Sequence, residues 1–88
     1  MADATSETVQ LFLKQVQDNV NIGQPSVLSK ELCATFEAQG TPLSVTPSCI
    51  DKKLLQLPYD SFATIVYGML YNKTMVSNYR DYFNVTEQ

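Results

Sequence analysis

The side chains with chemistry to offer are five tyrosines, two cysteines, six cations and nine carboxylates, and the chain has no histidine at all. Lacking histidine, it lacks the commonest general base and the commonest metal ligand. Ser–His and Cys–His nucleophile pairs are impossible within one chain. Two cysteines alone would need carboxylates to close a zinc site, a rare donor set. Glycines 23, 40 and 68 lie far apart, and neither phosphate-cradling glycine motif occurs. Asp51, Asp60 and Cys49 remain as titratable groups with no motif around them. The expectation is a chain that is not an enzyme and takes no cofactor and no metal.

Tyrosine is the residue type that stands out. Seven of the nine aromatics lie between Tyr59 and Phe83, and all five tyrosines are among them. Tyrosine joins a large apolar area to a hydroxyl that tolerates water, a combination suited to surfaces that dock partners. Tyr67 and Tyr71 are four apart and lie off the apolar stripe of their segment, so on an isolated helix they face away from the core. Tyr82 sits beside the face carrying Val76, Tyr79 and Phe83. Tyr67, Tyr71, Tyr79 and Tyr82 are therefore candidate anchors for a partner, with Arg80 as the orienting charge; the alternative is that a small bundle wraps around this segment and packs them. Base stacking on single strands needs a basic groove, and only Lys73 and Arg80 accompany the rings, with Asp81 adjacent.

The formal charge is −3, and the six cations are scattered at 14, 30, 52, 53, 73 and 80. Nucleic-acid domains draw most of their affinity from a dense basic patch, so a nucleic-acid partner is not expected. The alternative to weigh is a helix-turn-helix-like DNA-binding regulator using a helix over 47–56, with Lys52 and Lys53 as its cations. A seven-residue connection from Gly40 to Thr46 is long for that motif, and no Arg, Asn or Gln stands near the helix start to read base edges. Cys49 falls in the first turn of the same helix, where amide donors and the dipole can lower a thiol's pKa, making it a candidate redox thiol. Cys33 lies on an apolar stripe and reads as core.

The longest near-apolar run, Phe62 to Tyr71, is ten residues, about half of what a membrane-spanning helix needs. Met1 to Ala4 carry neither the basic nor the apolar region of a signal peptide. A cytoplasmic location with two free thiols is the expectation. In that setting the sequons Asn72-Lys73-Thr74 and Asn84-Val85-Thr86 are chance matches. Thr46-Pro47 offers a phosphorylation site.

These residues are positioned by short helices divided at Gly23-Gln24-Pro25, Gly40-Thr41-Pro42, Thr46-Pro47 and Leu57-Pro58. Spacings of three and four place Val9, Phe12, Leu13, Val16 and Val20 on one face of a helix over 6–20, capped by Thr5 or Ser6 and stopped by Gly23. A second helix over 26–39 turns Leu28, Leu32, Cys33 and Phe36 inward, with Pro25 in its first turn and Gly40 as its left-handed stop. Thr46 caps a third helix over 47–56 that buries Ile50, Leu54 and Leu57. Beyond Pro58, Phe62, Ile65, Val66, Met69 and Leu70 follow the helical template. Thr74 can cap a fresh helix, so two helices meeting near Asn72 are expected. Phe62, Met69, Val76 and Phe83 repeat at seven, a pattern suited to pairing with a second copy.

No segment alternates at period two. The sequence predicts an all-α single domain, a bundle of four or five short helices over 1–88 with frayed ends at 1–5 and 84–88. Its expected function is protein–protein interaction, as an adaptor, regulator or assembly factor. The expected partner is another protein or a second copy of the chain as a homodimer, with no membrane involved.

Overall fold

Turn chemistry sets where each helix starts and stops. In the computed structural model, which describes residues 6–84, α1 spans Ser6–Ile22. It runs two residues past Val20 because Gly23, at φ 74°, is the first position able to turn left-handed. The Gly23 N–H reaches the Val20 carbonyl and the Gln24 N–H that of Asn19, closing the helix end. The Thr5 cap lies outside the described residues.

Helix α2 spans Val27–Ala38, and Ser26 is its N-cap rather than its first residue, so Pro25 precedes the cap. Gly40, at φ 80°, ends it, with the Thr41 N–H donating to Phe36 O. Helix α3 spans Pro47–Leu55 behind its Thr46 cap, whose hydroxyl oxygen accepts the Cys49 N–H at 3.4 Å. Helix α4, Tyr59–Tyr71, follows Pro58 and breaks at Asn72 (φ −155°, ψ 77°). The chain resumes as α5 (Lys73–Val76), a 3₁₀ turn (Ser77–Tyr79) and α6 (Arg80–Asn84).

Two helices thus meet at Asn72 as expected, but Thr74 does not cap the second. Asn72 holds the cap position without a side-chain bond, and its carbonyl accepts the Met75 N–H at 3.0 Å. Gly68 is what lets the tail fold back here. A Cβ at 68 would stand 2.8 Å from Val76 Cγ2 and 3.1 Å from Met75 Cε, inside van der Waals contact.

The chain is all-helical among the described residues. Its radius of gyration is 12.1 Å, against about 12 Å for one compact globule of this length. α1 packs on α2, α3 and α4, and α2 on α3. The core takes Val9 and Val16 from α1, Leu28, Leu32 and Phe36 from α2, Ile50 and Leu54 from α3, and Phe62, Ile65, Val66 and Met69 from α4. Val76 and Phe83 close it from the tail, Phe83 meeting Phe36 edge-on at 6.4 Å.

Two expectations change. The repeat Phe62–Met69–Val76–Phe83 is spent inside this chain's own core, so it is not available to pair with a second copy. Leu70 does not join the inward stripe: 100° around the helix from Met69, it is 45% exposed. Residues 1–5 and 85–88, expected to fray, lie outside the described residues. Asn84 is tied down instead, its Oδ1 accepting the Ser44 N–H at 2.9 Å.

Beneath the start of α2 lies a buried polar knot. Asp51 of α3 is almost wholly buried. Its Oδ2 accepts the Ser26 N–H at 2.8 Å and its Oδ1 the Ser26 hydroxyl at 2.6 Å. Ser29 Oγ lies 3.2 Å from Asp51 Oδ2 and 3.0 Å from Ser26 O, so its single proton serves two acceptors. Asp51 thereby satisfies donors at the N-terminus of a helix other than its own. Asp51→Ala, which strands those buried donors, should lower stability by about 2–4 kcal/mol in urea unfolding. Asp51→Asn keeps one acceptor oxygen and should fall between Ala and wild type.

Candidate functional site

A helix with one face on the core normally turns charge to the water, as α1 does with Glu7, Lys14 and Asp18. The Lys14–Asp18 pair there closes at 2.9 Å. Helix α4 does not follow that pattern. Asp60 is its single charged residue, and no charge occurs from Ser61 to Asn72. Phe62, Ile65, Val66 and Met69 take the inward arc, so the remaining arc carries Tyr59, Tyr67, Leu70 and Tyr71 outward, with Ala63 half-buried against the core at its edge.

That stripe is exposed: Tyr59 by 42%, Tyr67 by 48%, Leu70 by 45% and Tyr71 by 61%. The Tyr67 and Tyr71 rings touch at 5.0 Å between centroids with a 54° tilt, one turn apart on the same side. Beside them an open groove of about 270 Å³ is lined by Ala63, Thr64, Tyr67 and Met75. Asp60 marks the N-terminal end of the stripe and is exposed; Lys73, first residue beyond the break, is exposed beside α2, where its carbonyl accepts from Gln39 Nε2 at 3.2 Å. Elsewhere Leu11, Ile22 and Val27 are exposed as well, but not as a continuous run along one helix.

The tail tyrosines are placed differently. Tyr79 and Tyr82 are half-buried and pack onto the core. The Tyr82 hydroxyl donates to the Lys53 carbonyl at 2.7 Å, and its ring lies 5.4 Å from Phe83 and 5.4 Å from the Lys53 ammonium. Arg80 is half-buried; its Nη1 lies 3.5 Å from Asp81 Oδ1, while its buried Nε has no hydrogen-bond partner. Of the five expected partner-binding residues, Tyr67 and Tyr71 come together on the surface, and Tyr82 serves to hold the tail against α3.

Lys53 departs from the expected pair of solvent-facing cations. It is only 6% exposed, under the Tyr82 ring, which leaves Lys52 as the exposed member. One lysine makes no basic face on α3. Cys49 is exposed in the first turn of α3. Cys33 is half-buried rather than fully enclosed, and its thiol is pushed above the usual range by burial first, then by the negative charges of Glu37 and Asp51.

A recess of about 210 Å³ between the end of α1 and the start of α3 is lined by Asn19, Gly23, Gln24, Ser48, Asp51 and Lys52. Asp51 borders it with both oxygens already engaged by Ser26 and Ser29, so its role there is architectural. Among the described residues, no group of three or more His, Cys, Asp or Glu side chains gathers to hold a metal ion, and no helix is long and apolar enough to cross a membrane.

Apolar periodicity places Tyr67 and Tyr71 outward but misses Leu70 as a member of the same face. The signal that marks the face is charge depletion: twelve residues, 61–72, without a charge are more than an inward stripe needs. Comparison with known protein families, curated proteins and solved structures finds no match for this chain.

Two measurements follow from these placements. Tyr82→Phe should cost about 1 kcal/mol in urea unfolding through the lost bond to Lys53 O, while Tyr67→Phe should cost nothing measurable. Under native conditions at neutral pH, a thiol reagent should label Cys49 rapidly and Cys33 slowly, because Cys33 is both half-buried and held protonated; equal rates in a quenched time course would contradict this.

Proposed function

We propose that this chain is a small protein-interaction module, an adaptor, regulator or assembly factor without catalysis of its own, that docks through the outer face of α4. The observation that carries the reading is the exposed Tyr59–Tyr67–Leu70–Tyr71 stripe on a helix whose one charge sits at its first turn. Charge depletion with aromatic enrichment is the compositional mark of interface centres. Tyrosine and its neighbours supply area at low conformational entropy, the property of hot-spot anchors.

Tyr67 and Tyr71 are the anchors in this reading, and Leu70 with the groove beside Met75 gives a partner's apolar side chain somewhere to go. Met75 can adapt to the shape of that side chain. The rest of the fold serves to hold α4 rigid, with its inner face fully occupied by core.

The double variant Tyr67→Ser with Tyr71→Ser should keep the helical signal and melting temperature of the wild type. It should lose, by about thirtyfold or more, the nuclease-resistant protein partners that tagged wild type retains from native lysate. Equal retention by a folded double variant would overturn the reading.

A further inference from the structure

Resting on that reading, we propose that the occupant of the α4 face is an arginine-bearing amphipathic helix of another protein. One guanidinium lies over the Tyr67 and Tyr71 rings, a second meets Asp60, and an aliphatic side chain between them enters the groove beside Met75.

Charge names the sign of the partner. Helix α4 carries one charge, the exposed carboxylate of Asp60. Asp18 and Asp81 are taken up by Lys14 and Arg80, but among the described residues no cation pairs with Asp60. The faces of the tyrosine rings add negative potential of their own and attract a cation within about 6 Å. A cationic side chain therefore gains at both ends of the face, and an acidic one is repelled at Asp60. Arginine suits it better than lysine, because a planar guanidinium lies flat on a ring and also forks onto a carboxylate.

Spacing names the pattern. Asp60, Thr64, Tyr67 and Tyr71 follow one another at four, three and four residues, which sets them in one line along the helix. The Thr64 hydroxyl turns back onto the Asp60 carbonyl at 2.9 Å, so it donates to its own helix. The line thus offers a carboxylate at one end and two rings in contact at the other. With a rise of about 1.5 Å per residue, and with helix side chains leaning toward the N-terminus, the two are about 11 Å apart. That is two turns of a partner helix, or about seven residues. The groove lined by Ala63, Thr64, Tyr67 and Met75 lies at the level between them, so the aliphatic side chain stands one turn from each arginine.

Strength follows from exposure. Ion pairs and cation–π contacts at a wet surface are each modest, so an isolated peptide should bind with a dissociation constant on the order of 0.1–1 mM.

A titration of the full chain followed by NMR tests this. The probe is an alanine- and glutamine-based helical peptide of about sixteen residues, carrying Arg, Leu and Arg at that spacing. At low salt it should shift the resonances of α4 and Met75. Replacing both arginines of the peptide by glutamine should weaken binding about tenfold. Asp60→Asn should weaken it about threefold, with Asp60→Glu restoring it. Tyr67→Leu with Tyr71→Leu should weaken it about tenfold, while the corresponding pair of Phe changes stays within about twofold, because phenyl keeps the ring face. Asp60 also favours the start of α4, and the Glu variant with a melting curve for each protein separates binding from any loss of stability.

Equal binding of the arginine and glutamine peptides overturns the inference while leaving an apolar docking face in place. Affinity indifferent to both Asp60→Asn and the Leu pair overturns it as well. Absence of any shift in α4 at about 2 mM peptide also overturns it, and the docking reading then stands or falls on the tyrosine-to-serine double variant.

Discussion

The architecture depends on one carboxylate. Asp51 sits on α3 but satisfies donors at the start of α2, through the Ser26 N–H and the Ser26 and Ser29 hydroxyls. A buried carboxylate is tolerated only where donors converge on it, so this knot admits one seating of α3 against α2. That seating presents the Lys53 carbonyl to the Tyr82 hydroxyl. Tyr82 in turn holds the tail so that Phe83 reaches Phe36. With the tail in place, Val76 and Met75 lie over Gly68 on one flank of α4, Val76 in the core and Met75 at the groove beside Tyr67. A polar contact near the first loop thereby governs which side of the fourth helix is left facing water.

The consequence is a division of labour between two halves of one helix. The inner arc of α4 is as apolar as any core element. The outer arc differs in kind: three of its four large exposed members are tyrosines, which carry a hydroxyl at the water boundary, and the fourth is Leu70. A face built from aliphatics alone would favour indiscriminate association; one built from tyrosines stays hydrated when alone and still offers area when covered. The tyrosines on α6 and its 3₁₀ approach have the opposite assignment, with Tyr82 spending its hydroxyl on Lys53 and its ring on the core.

Much of the scaffold was legible from residue types. Glycines at 23 and 40, Thr46 before Pro47, and Pro58 mark helix ends because each acts through its own backbone or its immediate neighbours. The outward placement of Tyr67 and Tyr71 was also legible, since both lie off the stripe set by Phe62, Ile65 and Val66. What escaped was everything decided across the fold. Asp51 looked like a titratable candidate because its partners are 22 and 25 residues away. Lys53 looked solvent-facing because nothing near it in the chain announces the Tyr82 ring. Leu70 looked buried because apolar spacing says which residues can face inward, not how wide the inward arc is. The seven-residue repeat read as a seam between copies when the chain's own helices fill it.

The break at Asn72 carries a consequence for how such a surface can be used. It cuts the outward stripe at about three turns, so a bound segment gains nothing by being longer. In the proposed docking, affinity at this face has a ceiling set by length, and stronger engagement would come from valency: two faces presented together, or one face held close to its target by a tether. In that regime the effective local concentration, rather than contact chemistry, decides whether the face is occupied.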